Sequence, residues 1–187
     1  MKLAVGFILY EDSTARYLAD FLPSLDQSLG FLSPEECWIF IHDNSEKGEE
    51  NRLAIKEWNS RRLAAGLPEV EYISAGENLG FSRAYNVLIR RAAVYGADYF
   101  LVINPDTVLE PDAIRLLAAS LEADGSLGSV APQLCRWDFA GHKKTGMIDS
   151  LGIGLAPGLK FYDIGQGEER GDNFPASILG PSGAAGL

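Results

Sequence analysis

The sequence predicts a three-layer α/β/α sandwich of Rossmann-like type, built around a mostly parallel sheet. Apolar runs of strand length alternate with helical patterns over the first two thirds of the 187 residues. The runs are continuously apolar rather than alternating, which is typical of strands covered on both faces. Strand–helix alternation at this spacing favours parallel strands joined by right-handed crossovers.

The predicted elements follow in order along residues 1–136. Strands are predicted over residues 3–10, 37–41, 70–73, 99–103 and 127–134. Helices are predicted from Ser13 or Thr14 to Leu29, over 49–65 on an exposed surface, over 81–95, and from Glu110 onward. Pro23 predicts a kink or two shorter pieces in the first helix. Pro111 is expected in the first turn of the last helix, where proline is favoured.

Residues 137–187 have a different pattern, with many glycines, several prolines and little periodicity. Such composition indicates hairpins and loops rather than another strand–helix unit. We therefore expect one domain over residues 1–187. Its βα core covers residues 1–136, and a loop and hairpin region over 137–187 covers the ligand site.

The overall charge argues against nucleic acid as a partner. Sixteen Lys and Arg against 26 Asp and Glu give a formal charge of −10, which repels a phosphate backbone. The fingerprints of ATP and dinucleotide sites, a P-loop and a GxGxxG, do not occur. Cys37 and Cys135 lie far apart without metal-type spacing, as in a reduced, cytoplasmic protein.

Polar clusters follow several predicted strands. They are Tyr10-Glu11-Asp12, Asp43-Asn44-Ser45, residues 76–81, and Asn104-Pro105-Asp106. Because ligands of open α/β sheets bind outside the carboxyl ends of the strands, these clusters are expected to share one rim.

Two of these clusters have both a ligand interpretation and a structural one. Asn104 and Asp106 supply oxygen atoms that suit Mg²⁺ or Mn²⁺, but the same residues also form a plain strand-to-helix turn. Asp43 can accept the imide N–H of uracil or thymine, or simply stabilise its turn. The glycine-containing loop at 78–81 opens a helix whose N-terminus can stabilise a diphosphate.

Four stretches resemble glycosyltransferase family 2, the large GT-A-fold group, and especially its rhamnosyltransferase-like bacterial members. They are IFIHDNS (39–45), ENLGFSRAYNVLI (77–89), FLVINPDTVLEPDAI (100–114) and ILGPSGAAGL (178–187). The second and third are the most specific. The order and spacing of the four stretches extend the resemblance over nearly the whole chain.

The resemblance implies a metal-dependent, inverting glycosyltransferase of hexosyl or rhamnosyl type. The implied donor is a UDP- or dTDP-sugar, and the implied acceptor is a glycan or lipid-linked acceptor of cell-surface polysaccharide synthesis. By position, the resemblance implies that Asp43, flanked by Leu9, Tyr10 and Glu11, contacts the base. It implies a nucleotide pocket formed by Asn78, Gly80, Phe81 and Asn86. It further implies that Asp106 binds the metal with Asn104, and that Ser182 and Gly183 border the donor sugar.

The sequence departs from the family pattern in two places. Tyr10-Glu11 stands where the family usually has an aromatic or small residue followed by Asn. The sequence also ends at Leu187, before the acceptor-side segment that carries the Asp or Glu general base, so no catalytic base is assigned. We therefore expect weak donor binding, negligible transfer and self-association. The reduced cysteines and the absence of a membrane-spanning pattern separately predict a location in the cytoplasm or at the inner face of the membrane.

The sequence pattern has two alternative functional interpretations. A sugar-phosphate nucleotidyltransferase needs a glycine-rich basic loop after the first strand, whereas residues 10–13 are acidic and lack glycine. A catalytically inactive nucleotide-sugar-binding domain is the second alternative, and the missing acceptor segment keeps it open.

Overall fold

The computed structural model describes residues 1–172, 174–175 and 177–187. It forms two compact units, Met1–Pro111 and Asp112–Leu187. The first unit contains strands β1 (Leu3–Leu9), β2 (Cys37–Asp43), β3 (Glu71–Ser74) and β4 (Tyr99–Ile103), and helices α1 (Ala15–Leu29), α2 (Glu49–Ala64) and α3 (Phe81–Val94). The second contains helix α4 (Ala113–Ala123) and strands β5 (Leu134–Asp138), β6 (Lys143–Ser150), β7 (Ile153–Ala156), β8 (Lys160–Asp163) and β9 (Ala185–Gly186).

The four strands of the first unit are parallel and lie in the order β3-β2-β1-β4. In this register Leu9 lies beside Asp43, and Asp43 lies beside Ser74. The carboxyl ends of β1, β2 and β3 are therefore level with one another. The strand order reverses between β1 and β4, which is the position where open α/β sheets form a binding crevice. The predicted α/β class with a mainly parallel sheet is confirmed.

The two faces of this sheet have separate cores, because successive side chains of a strand point to opposite faces. On one face, residues of β1, β2 and α3 form a buried cluster of Ala4, Phe40, Tyr85, Leu88 and Ala92. On the other face, the ring of Phe7 packs edge-on against that of Phe21 at 5.0 Å. The strands are thus covered on both sides, as their continuous apolar sequence predicts.

Helices α1 and α2 differ from expectation. Pro23 does not divide α1, which is one helix of 15 residues. Buried residues on both sides of the proline, such as Phe21 and Leu25, attach both halves to the core, and this packing offsets the lost backbone hydrogen bond. Helix α2 is not simply exposed, since Trp58 and Arg62 are buried.

The second unit contains two antiparallel hairpins, β5–β6 and β7–β8. The strand predicted over 127–134 is wrong, because β5 begins only at Leu134. Pro132 cannot donate to a strand ladder, and Val130 instead exchanges two backbone hydrogen bonds with Leu187, at 2.7 and 3.1 Å. Helix α4 begins after Pro111, so this proline precedes the first turn. The division into residues 1–136 and 137–187 stays a prediction.

Candidate functional site

The ends of β1 and β2 are joined by hydrogen bonds. The backbone N–H of Asn44 donates to the carbonyl of Leu9 at 2.9 Å. The N–H of Glu11 donates to Oγ of Ser45 at 2.6 Å. Two of the predicted polar clusters therefore form one continuous surface. The side chain of Tyr10 is about half exposed beside them.

Glu11 has a left-handed backbone, with φ of +46°. This conformation is uncommon for residues other than glycine and costs on the order of 1–3 kcal/mol. Nδ2 of the buried Asn51, in the first turn of α2, donates to the carbonyl of Glu11 at 2.5 Å. Oγ1 of Thr14 in turn donates to Oδ1 of Asn51 at 2.9 Å. These contacts from another element hold the turn after β1 in its strained form.

Asp43 is buried, with only 1% of its surface exposed. Its Oδ1 accepts the N–H of Ser45 at 2.9 Å, and its Oδ2 accepts the hydroxyl of Tyr72 on β3. Gly48 closes the turn above it, where a Cβ would lie 2.8 Å from Oδ2. The contact with Ser45 belongs to the turn interpretation of Asp43, whereas sequence reasoning missed the contact with Tyr72.

Two side chains next to Asp43 are also buried. His42 has its pKa lowered by burial, although the charge of Asp43 and a hydrogen bond with Asn44 act in the opposite direction, so it is neutral near pH 7. The amide of Asn44 contacts the loop before α3 twice: Nδ2 donates to the carbonyl of Gly80, and Oδ1 accepts the N–H of Leu79, both at 3.4 Å. Asn44, which was not among the predicted site residues, thus attaches the third polar cluster to the end of β2.

The loop before α3 has the shape expected of a helix entry. Oδ1 of Asn78 accepts the N–H of Gly80 at 2.8 Å. Gly80 has φ of +73°, and no other atom lies within 4 Å of the position of a Cβ there. Phe81 is exposed, with its ring 4.6 Å from that of Tyr85. Asn86 lies on an exposed position of α3.

Tyr85 connects α3 to the end of β4. Its hydroxyl donates to the carbonyl of Ile103 at 3.2 Å. Burial raises the pKa of Tyr85 well above its usual value, and the negative charge of Asp106 contributes in the same direction. Tyr85 therefore stays neutral, and the carboxylate of Asp106 lies near enough to act on it electrostatically.

The turn after β4 presents the predicted metal ligands. The N–H of Thr107 donates to the carbonyl of Asn104 at 3.2 Å. Pro105 is buried, whereas Asp106 is exposed. Among the described residues no three His, Cys, Asp or Glu side chains form a metal cluster. The exposed carboxylate of Asp106, with the amide of Asn104 two positions before it in the sequence, fits Mg²⁺ or Mn²⁺, because these ions keep several waters and bind substrate phosphates.

The remaining predicted residues lie in the second unit. Oγ of Ser182 accepts the N–H of Ala184 at 3.3 Å, and Gly183 lies between them, just before β9. Within the described part of the chain, no helix is both long and apolar enough to cross a membrane.

Comparison with known proteins identifies one matching family. The family described as Glycosyl transferase family 2 matches residues 17–163, which is most of the chain. No curated protein sequence matches this chain significantly.

Solved structures of glycosyltransferases have a similar fold. A mannosyltransferase from Pyrobaculum calidifontis, solved with GDP-Man and Mn²⁺, is 16% identical over 75% of this chain and 37% of its own, with a TM-score of 0.58. TarS from S. aureus is 17% identical over 72% of this chain and 22% of its own, with a TM-score of 0.52. A structure of TarS 1–349 gives a TM-score of 0.54, with 36% of that chain covered. The present chain thus spans less than two fifths of each of these proteins.

Proposed function

The chain belongs to glycosyl transferase family 2, and we propose that it binds a nucleoside-diphosphate sugar at the carboxyl ends of β1, β2 and β4 for transfer of the sugar. The main support is the convergence of the polar clusters within the first unit. Asn44 attaches the Gly80 loop to β2, and Tyr85 attaches α3 to the end of β4. Residues far apart in sequence thereby reach one rim of the sheet.

The proposed metal ligands are Asp106 and Asn104. An exposed carboxylate after a buried proline is held in place by the backbone, so it can bind an ion without first leaving a structural contact. When bound, a divalent ion neutralises the negative charge of the leaving diphosphate. The similar mannosyltransferase was solved with Mn²⁺ and a nucleotide sugar, which supports a metal here.

The proposed diphosphate position is the N-terminus of α3, a helix of 14 residues. The first N–H groups of a helix lack partners within the helix, so these groups and the helix dipole both attract anions. At Gly80 no side chain obstructs the approach, and Asn78 shapes the loop. Phe81 and Asn86 are proposed to border the nucleotide from exposed positions of the same helix.

The proposed base contact is Asp43, flanked by Leu9, Tyr10 and Glu11. A carboxylate accepts the imide N–H of uracil or thymine, whereas cytosine offers a lone pair at the same ring position and is repelled. Guanine also has a ring N–H, and the similar mannosyltransferase holds GDP-Man. GDP therefore belongs in any test, although UDP and dTDP are the nucleotides we propose.

Finer points from the family resemblance stay predictions. They concern the hexosyl or rhamnosyl type of the sugar, its border at Ser182 and Gly183, and inversion by direct displacement. They also include the glycan or lipid-linked acceptor and a role in polysaccharide synthesis. Self-association and a location in the cytoplasm or at the membrane, which were expected from the sequence itself, likewise stay predictions.

Calorimetric titration with UDP and dTDP, with and without Mn²⁺, tests the proposal. Asp106→Ala is expected to lower the Mn²⁺-dependent affinity at least tenfold, about 1.4 kcal/mol, and to leave the melting temperature nearly unchanged because the side chain is exposed. Glu122→Ala, which removes an exposed carboxylate on α4, is the control and should bind like the parent chain. An Asp106→Ala variant with undiminished Mn²⁺-dependent binding would refute the metal assignment.

A further inference from the structure

The hydroxyl of Tyr72 occupies an acceptor position of the residue proposed to read the base. It donates to Oδ2 of Asp43, while the N–H of Ser45 occupies Oδ1. With the turn at Gly48 closed above it, the carboxylate has almost no exposed surface. A nucleobase cannot reach these oxygens while Tyr72, Ser45 and Gly48 all keep their positions.

A phenol O–H and an imide N–H make equivalent contacts with a carboxylate. Each is a single neutral donor directed at one oxygen, so exchanging one for the other keeps the buried charge hydrogen-bonded. A ring nitrogen that carries only a lone pair cannot make this exchange. Displacing Tyr72 in favour of cytosine would leave Asp43 with one donor fewer and a repulsive neighbour.

We propose that Tyr72 is a specificity-determining residue: its hydroxyl caps Asp43 when no base is bound and is displaced only by a base that carries a ring N–H. The inference rests on the proposed function, specifically on base recognition by Asp43. It adds that selectivity arises from competition between an internal donor and the donor of the base.

The position of Tyr72 allows this movement. Strand β3 has four residues and is the outermost strand of the sheet, and Tyr72 is only half-buried. Arg52 of α2 lies beside the hydroxyl and can donate a hydrogen bond to its oxygen after the displacement. Burial, with the hydrogen bond to Asp43 and its charge, raises the pKa of Tyr72 well above its usual value. The phenol is therefore protonated, and remains a donor, near pH 7.

Tyr72→Phe removes the competing donor and keeps the ring. Because a hydrogen bond to a charged group then no longer has to be broken, UDP is expected to bind about tenfold more tightly. CDP, which cannot satisfy Asp43, should bind with unchanged affinity. The ratio of the Kd of CDP to that of UDP therefore rises about tenfold, whereas a purely structural role would weaken both nucleotides together.

The matched control is Tyr95→Phe. In the parent chain the hydroxyl of Tyr95 also donates to a carboxylate, that of Glu71, at 3.3 Å, but this contact lies at an exposed position. This variant should leave the Kd ratio unchanged. GDP and dTDP, titrated in parallel, should follow UDP because both bases carry a ring N–H.

Asp43 variants separate the two hypotheses. Asp43 reads the base if the parent chain prefers UDP to CDP and Asp43→Ala abolishes this preference. If the alanine variant does not fold, the isosteric Asp43→Asn takes its place in this test. An unchanged or lower Kd ratio in Tyr72→Phe then overturns the role of Tyr72 alone. A parent chain that binds UDP and CDP equally overturns base recognition by Asp43, and the inference with it.

Discussion

Replacing Asp26 by alanine leaves the guanidinium of Arg62 buried without its counter-charge. Asp26 lies on α1 and makes an ion pair with Arg62 of α2; the two side chains are 28% and 5% exposed. It also accepts the indole N–H of Trp58 at 2.6 Å, and the guanidinium lies 5.0 Å from the centre of the Trp58 ring. One carboxylate thus satisfies two buried donors that join α1 to α2.

The expected destabilisation follows from these exposures. Breaking a buried ion pair by removing one partner costs about 3–5 kcal/mol. Because Asp26 is partly exposed and water can replace some of its contacts, we expect a loss of about 2–4 kcal/mol in the free energy of unfolding. The exposed pair of Arg91 and Glu71, with side chains 49% and 24% exposed, provides the comparison, and Arg91→Ala should cost no more than about 1 kcal/mol.

Urea unfolding followed by circular dichroism measures both variants. The two midpoints should separate clearly, with Asp26→Ala unfolding at the lower urea concentration and with an unchanged slope. Asp26→Asn should fall between them, since its amide oxygen still accepts one hydrogen bond but carries no charge. If Asp26→Ala costs no more than Arg91→Ala, then Arg62 is not a buried charge that depends on Asp26, and the reasoning is refuted.

Three further predictions concern the turn near the site and the buried thiol. Gly48 has φ of +46°, and a Cβ there would lie 2.7 Å from Cβ of Ser45, whereas Gly66 has φ of +77° and open space around it. Gly48→Ala should therefore lower both stability and UDP affinity, while Gly66→Ala should cost only the left-handed backbone, about 1–2 kcal/mol; equal melting temperatures and affinities would contradict this. Burial raises the pKa of the Cys37 thiol to about 11, so iodoacetamide near pH 8 should label the folded protein at Cys135 well before Cys37, as read by mass spectrometry. Since the unfolded chain loses this proton at lower pH than the folded chain, the contribution of Cys37 to stability should fall above about pH 9, by up to about 3 kcal/mol. A Cys37→Ala variant with an equally steep alkaline loss would exclude this contribution.

The order of the first elements could be predicted from the sequence because the burial of these segments is visible in their local composition. The apolar run that forms β4 and the start of α2 at Glu49 coincide with the predicted positions. Both faces of these strands are covered, so nearly every residue is apolar, and the boundaries follow from turn-forming residues next to them. The polar clusters could also be predicted to share one rim, because each follows a strand and parallel strands end on the same side of the sheet.

Elements governed by distant contacts were predicted less well. Pro23 indicates a break that packing against the sheet overrides. The apolar residues near Val130 suggested a strand, but their hydrogen-bonding partner is Leu187, far along the chain. Periodicity reports which side of a segment is buried, but it does not identify the segment that covers it.

The sequence by itself determined the fold class, the family and the residue types at the strand ends. Only the tertiary structure decided how those residues are held. Asp43 is capped by Tyr72, 29 positions away, and the left-handed Glu11 is held by Asn51, 40 positions away. Such pairs depend on how each crossover returns the chain to the sheet. A hydrogen bond requires two atoms to meet within a few tenths of an ångström, which no local pattern of polar and apolar residues specifies.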